Sequence, residues 1–254
     1  MKEGRAICGS VNTVTRIGDT VRRPVGHWTA LVHELLRYLE RAGFEHAPRV
    51  HGIDAENREI LSYIQGTTAK RPWPAVLSGD QGVAVLARFL KNYHLAVQGF
   101  IPSDGANWRD PNKAWRPGMI VKHGDLGPWN TVWQGTELAG VIDWDFAEPG
   151  EGLEDAAQMA WYSIPLRSRS QCRRCGFETI PDLRTRLRLF CEAYGTTPDA
   201  LIASLLEVQE NEMERIRRYG EQSIPPWDSF HDRGDVAEIK KEQAWLIKNQ
   251  RLLI

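Results

Sequence analysis

The stretch that decides the fold reads Ile120-Val121-Lys122-His123-Gly124-Asp125-Leu126-Gly127-Pro128-Trp129-Asn130, then Thr131-Val132-Trp133-Gln134, a turn at Gly135 to Leu138, and Ala139-Gly140-Val141-Ile142-Asp143-Trp144-Asp145. Two strands joined by a four-residue turn pair antiparallel, so if Gln134 faces Ala139, Asn130 faces Asp143. Directly opposed residues hold their Cβ atoms about 4.5 to 5.5 Å apart. An amide oxygen and a carboxylate at that separation form an oxygen site for Mg²⁺, whose remaining ligands are water and phosphate oxygens. Asp125 stands in a loop bent by Gly124, Gly127 and Pro128, where it faces the same point without being a ligand. Phosphoryl transfer needs this set: positioning, neutralisation of charge by metal, and one carboxylate to orient and deprotonate the attacking hydroxyl. Singly, Asp125 reads as a turn former, Asn130 as a loop cap and Asp143 as a charge at a strand end. Jointly, at this spacing, they point to chemistry.

Outward from this island, residues 119–146, the chain changes character on either side. Towards the N-terminus, Thr13-Val14-Thr15-Arg16-Ile17 and Thr20-Val21-Arg22-Arg23 flank Gly18-Asp19, a two-residue hairpin signal preceded by a Gly9-Ser10 loop. A helix with Leu31, Leu35, Leu36 and Leu39 at helical spacing follows, capped by Thr29 and ended by Gly43. Arg49 to Ile53 and Glu59 to Ile64 read as two more strands. Turn-forming residues from Gly66 to Gly79 interrupt both periodicities. Beyond them Val83, Leu86, Leu90, His94 and Val97 mark one helical face, and Leu183 to Tyr194, Pro198 to Tyr219 and Asp235 to Leu252 read as helices. The expected fold class is α+β in two lobes: a small sheet with one helix over residues 1–66, and a mainly helical lobe over 67–254 that carries the island.

Composition narrows the function further. Lysine plus arginine (32) nearly balance aspartate plus glutamate (33) in the 254 residues, which gives no support for a nucleic-acid partner. No apolar run approaches the roughly 20 residues of a membrane span, and the N-terminus lacks the apolar stretch of a secretory signal, so a cytoplasmic location is expected. Cys172 and Cys175 form one C-x-x-C without a second pair at zinc spacing, and idle thiols are the better reading. Oligomeric state is not legible.

The pattern H-G-D-x-x-x-x-N followed by a strand ending in I-D-W resembles the aminoglycoside phosphotransferase family, which shares a protein-kinase-like fold with choline and fructosamine kinases. The resemblance implies a nucleoside triphosphate (ATP or GTP) as donor, Mg²⁺ as cofactor and a small hydroxylated molecule as acceptor. It makes Asp125 the catalytic base and Asn130 and Asp143 the metal ligands. It also implies that His123 braces the loop and that Asp155 holds the catalytic loop from a helix start, where the helix dipole alone would equally favour an acid. Asp145, two residues past Asp143 on the same strand face, reads as an outer group of the metal site. By the same resemblance Ser10 and Asn12 lie in the loop over the triphosphate, Tyr63 and Ile64 in the adenine hinge, and Arg22 in the place the family gives to a phosphate-binding lysine, with Glu34 as its partner, chosen over Glu40 on the same helix. Alternation lets only one of Arg22 and Arg23 point inward. Glu207, Glu210 and Glu214 share a helical face that suits either a cationic acceptor or solvent. The acceptor stays open between an aminoglycoside and a metabolite such as a choline-like, sugar or amino-alcohol compound. A nucleotide-binding pseudoenzyme is the rival, suggested by arginine in place of lysine.

Overall fold

Residues 5–8 and 13–254 are described in the computed structural model of the chain, which packs as two compact units. The first comprises Met1–Ala69 and Asn92–Gly152, the second Lys70–Lys91 and Leu153–Ile254.

In the first unit, β1 (Arg5–Cys8), β2 (Thr13–Ile17) and β3 (Thr20–Pro24) are followed by α1 (Thr29–Arg41), β4 (Val50–Ile53) and β5 (Arg58–Ser62). The strands form one antiparallel sheet in the order β1-β2-β3-β5-β4. Gly18, at φ +63°, closes the β2–β3 hairpin in two residues, as its Gly-Asp sequence predicts. Thr29 Oγ1 accepts the Gly26 N–H at 2.8 Å where the chain enters α1, and Leu31, Val32, Leu35, Leu36 and Leu39 bury the helix's apolar stripe. Each such side chain contributes roughly 1.5–3 kcal/mol. Gly43, at φ +73°, ends the helix and returns the Phe44 N–H to the Leu39 carbonyl.

After β6 (Thr67–Thr68) the chain leaves through α2 (Ala75–Ser78) and α3 (Asp80–Val97), whose last turn belongs again to the first unit. Then come β7 (Ile120–Lys122), β8 (Thr131–Gln134), β9 (Glu137–Val141) and β10 (Glu148–Gly150). β6 pairs with β8, and the Val141 N–H donates to the His46 carbonyl at 2.8 Å. These bonds group the island with the sheet, so compact packing cuts the chain otherwise than at residue 66.

The second unit is helical: α4 (Gly152–Ser163), α5 (Arg169–Arg174), α6 (Leu183–Tyr194), α7 (Pro198–Gly220), α8 (Trp227–Asp232) and α9 (Asp235–Leu253). Asp182 caps α6, and Thr197 caps α7 ahead of Pro198. Arg186, fully buried, donates to the carbonyls of Leu77, Ser78 and Ser163 and to Asp80. Glu242 accepts from Trp161, Gln171 and Arg167. Cys172, Cys175 and Cys191 are free and buried, and burial pushes the Cys172 thiol up to about 11. No described helix is long and apolar enough to cross a membrane.

Candidate active site

Two loops meet in the first unit because the strands beside them pair. β7 runs antiparallel to β10 with Lys122 opposite Glu148, and Lys122 Nζ lies 2.9 Å from Glu148 Oε1. The loop leaving β7 carries His123 to Asn130, and the turn entering β10 carries Asp143 to Phe146. Beneath them Tyr93, from the end of α3, donates its hydroxyl to the Val121 carbonyl at 2.6 Å and packs edge-on against Trp144. The loops cross at Gly124, whose φ is +77° and where an added Cβ would stand 2.1 Å from the Phe146 carbonyl oxygen. Gly124→Ala is therefore expected to lose about 1–3 kcal/mol of stability through backbone strain and the clash. A denaturant titration checks this, and an unchanged midpoint would contradict the crossing.

Asn130 ends a one-turn 3₁₀ helix, Pro128–Asn130. Its Nδ2 donates to the Asp125 carbonyl at 2.9 Å and to Asp125 Oδ2 at 2.7 Å. The amide oxygen, Oδ1, takes no part in these two bonds. The Asp125 backbone N–H donates to His123 Nδ1 at 3.3 Å, so Nδ1 is an acceptor and the proton sits on Nε2, which donates to the Ile142 carbonyl at 3.2 Å. One neutral imidazole thus links the Asp125 loop to the residue before Asp143. Asp143 has φ +64°, a left-handed conformation that short polar residues tolerate best, and its side chain is 41% exposed. An amide oxygen with a carboxylate is a hard-oxygen donor set that suits Mg²⁺ sharing its coordination with water and phosphate. Among the described residues no three His, Cys, Asp or Glu side chains converge as a metal cage.

The β8–β9 register departs from expectation. Gln134 pairs with Glu137 across a two-residue turn, with Gly135 at φ +61°, and a bulge follows between Leu138 and Gly140. The Ile142 N–H donates to the Asn130 carbonyl at 2.9 Å, so Asn130 stands opposite Ile142 and not Asp143. Glycine allowed the tighter turn, and the bulge recovered only part of the shift.

The inward arginine is Arg23. Its Nε lies 2.6 Å from Glu59, its Nη1 3.1 Å from Asp143 Oδ1 and its Nη2 2.6 Å from Asp145 Oδ1. Arg22 instead donates to Thr20 Oγ1 at 2.6 Å and lies 3.6 Å from Asp54. Strand alternation puts Val21 and Arg23 on one face, opposite Leu61 and Glu59 of β5, so the residue next to an inward valine points away. The carboxylate partner is correspondingly Glu59, fastened by His33 Nε2 at 2.9 Å, not Glu34, which accepts from Ser103 Oγ at 2.8 Å. Asp145 is buried and bound to Arg23 through Oδ1. Burial lowers Arg23's affinity for its proton, but Asp145, Glu59 and Asp143 outweigh it and hold the guanidinium above its usual range. Burial lifts the Asp145 carboxyl above its usual range against the pull of Arg23.

Arg109 was not legible as a site residue. It reaches Asp145 Oδ2 at 3.5 Å and lies over the rings of Trp28 and Phe146. Tyr63 donates its backbone N–H to the Asp19 carbonyl at 2.8 Å, and its ring lies 3.6 Å from the Arg16 guanidinium. Ile64 packs towards Gly140. Ser10 and Asn12 lie outside the described residues. In the second unit Asp155 is buried in the first turn of α4, and Tyr194, pushed up to about 12 mainly by burial, feels its charge. Of the α7 acids, Glu214 pairs with Arg218 and Glu210 accepts from Gln243.

Residues 106–190 match the phosphotransferase enzyme family. Over 192 residues the chain is 32% identical to the trifolitoxin immunity protein of Rhizobium leguminosarum bv. trifolii, an alignment covering 74% of this chain and 72% of that protein. Among solved structures, the GDP complex of aminoglycoside 2'-phosphotransferase-IIIa superposes with a TM-score of 0.59 at 15% identity, covering 95% of this chain and 92% of that one. An amicoumacin kinase in complex with AMP-PNP, Ca²⁺ and Ami gives 0.63 at 12% identity, covering 94% and 87%. At such identities the likeness is one of fold.

Proposed function

This chain belongs to the phosphotransferase enzyme family, and from that premise we propose that it moves the γ-phosphoryl group of a nucleoside triphosphate to a hydroxyl of a small molecule, with Mg²⁺ as cofactor. The observation that carries the reading is His123, which bonds the Asp125 backbone on one side and the Ile142 carbonyl, next to Asp143, on the other. A base and a metal-binding carboxylate tied through one ring form a site held in advance of substrate.

In this reading Asp125 accepts the proton of the acceptor hydroxyl. The acceptor oxygen bonds to the γ-phosphorus, the bond from that phosphorus to its bridging oxygen breaks, and the electron pair departs with the nucleoside diphosphate. Two bonds from Asn130 Nδ2 keep Asp125 aimed. Asn130 Oδ1 and the Asp143 carboxylate would hold the metal, which supplies neutralisation of the phosphate charge when bound. Arg23, held by Glu59, would contact the phosphates in place of the family's lysine, with a planar fork where lysine has a point charge.

The acceptor is read as a hydroxylated antimicrobial compound, because the relative named above is an immunity protein. Purified protein with labelled ATP or GTP and Mg²⁺ should transfer label to a member of a pool of hydroxylated antimicrobials that includes aminoglycosides. Transfer confined to choline-like or sugar acceptors would move it to the metabolite kinases. A nucleotide-dependent thermal shift with no transfer to any acceptor would favour the pseudoenzyme.

A further inference from the structure

Arg109 lies in the connection from α3 to β7, which is pinned to its surroundings at neighbouring points. His27 Nε2 donates to the Trp108 carbonyl at 3.1 Å, and Lys113 Nζ lies 3.3 Å from Glu148. The Arg109 side chain is 8% exposed. Its guanidinium carbon stands 4.3 Å from the Trp28 ring centre and 4.4 Å from that of Phe146, contacts that hold a cation in place without consuming an N–H donor. Its hydrogen bonding is sparse. Nη1 reaches Asp145 Oδ2 at 3.5 Å, the long limit for such a bond, while Arg23 takes the other oxygen of that carboxylate at 2.6 Å. Nε is buried with no acceptor.

A buried arginine whose task is structural looks different in this chain. Arg186 likewise leaves its Nε without a partner, but its Nη1 and Nη2 meet three carbonyls and Asp80, where the Nη1 of Arg109 has one long contact. Leaving buried donors unmet is costly, and the cost is greater for a charged group. Burial, with some help from the neighbouring Arg23 cation, outweighs the pull of Asp145, Asp143 and Asp125 and holds the Arg109 guanidinium below its ordinary range. The cation is thus buried between two rings and short of acceptors, on the carboxylate that Arg23 ties to Asp143.

We propose that Arg109 is a catalytic residue that donates its unused N–H edge to the oxygens of the γ-phosphoryl group during transfer. The inference rests on the phosphotransferase reading above. In a loose transition state, negative charge is shared among the equatorial oxygens, and a guanidinium fork fits two of them at once. Stacking on Trp28 and Phe146 sets the fork beforehand, so no reorganisation accompanies the reaction.

The test uses calorimetric titration of the Mg²⁺ complexes of an imido triphosphate analogue and the matching diphosphate into wild type, Arg109→Gln and Arg109→Lys. Arg109→Gln is expected to weaken the triphosphate analogue by about 10- to 100-fold, the size of a lost charge-assisted contact, and the diphosphate far less. Arg109→Lys, which keeps the charge and loses the fork, should recover part of the difference. Equal weakening of both nucleotides would mark Arg109 as a prop for Asp145 and overturn the proposal, as would unchanged affinity for both, the result expected if its anion belonged to the acceptor. A wild type that binds neither nucleotide would defeat the phosphotransferase reading itself. Thermal melts of both variants, run beside the titrations, show whether each is folded, and Arg109→Lys keeps the test open if Arg109→Gln is not.

Discussion

Asp125→Asn is expected to lower turnover by roughly 10²- to 10⁴-fold, the usual cost of a lost general base, while Mg²⁺–nucleotide affinity stays nearly unchanged. Asparagine is the right replacement because its amide oxygen can still accept the Asn130 Nδ2 proton, which Asp125 Oδ2 takes at 2.7 Å, so the loop keeps its shape. Asp143→Asn supplies the contrast. Asp143 has φ +64°, where asparagine is tolerated and alanine is strained, so this variant removes the charge without disturbing the backbone. As the proposed metal ligand it should lose affinity and turnover together. Titration of Mg²⁺-nucleotide beside a turnover assay on the best acceptor separates the two roles. Loss of nucleotide binding in Asp125→Asn with normal binding in Asp143→Asn would reverse the assignment.

Arg23→Ala should cost about 3–5 kcal/mol of stability, because it strands Glu59 and Asp145, both buried, without their shared cation. Arg22→Ala removes a single 3.6 Å pair to Asp54 and a bond to Thr20 nearer the surface, and should cost no more than about 1 kcal/mol. Nucleotide affinity should follow the same order, falling with Arg23 and barely moving with Arg22. Arg23→Lys should fold better than Arg23→Ala, since an ammonium keeps the charge but cannot span three carboxylates with one fork. Urea melts and nucleotide titrations read these effects. Equal losses from Arg22→Ala and Arg23→Ala would mean that the strand's two faces are not distinguished in the way the pairing of β3 with β5 requires.

The residues of the island were legible because their signal is local. Gly124, Gly127 and Pro128 bend a loop in any context, and an H-G-D-x-x-x-x-N spacing places Asn130 within reach of Asp125, to which it donates two bonds. The helices α6, α7 and α9 were legible for the same reason, since caps such as Thr197-Pro198 and apolar spacing act within a few residues. The hairpin register was not. Whether Gly135 closes the turn in two residues or sits in a longer one depends on a left-handed backbone that sequence permits without requiring, and the bulge after Leu138 has no pattern of its own.

Sequence by itself determined the α+β class and the loop that brings Asn130 to Asp125. Only the tertiary structure decided that Arg23, and not Arg22, meets Glu59, that His33 fastens Glu59, and that Arg109 lies over the rings of Trp28 and Phe146 beside Asp145. Each of these is a contact between distant segments, set by strand pairing and burial. Alternation along one strand leaves two choices of face, and the partner strand and the core choose between them.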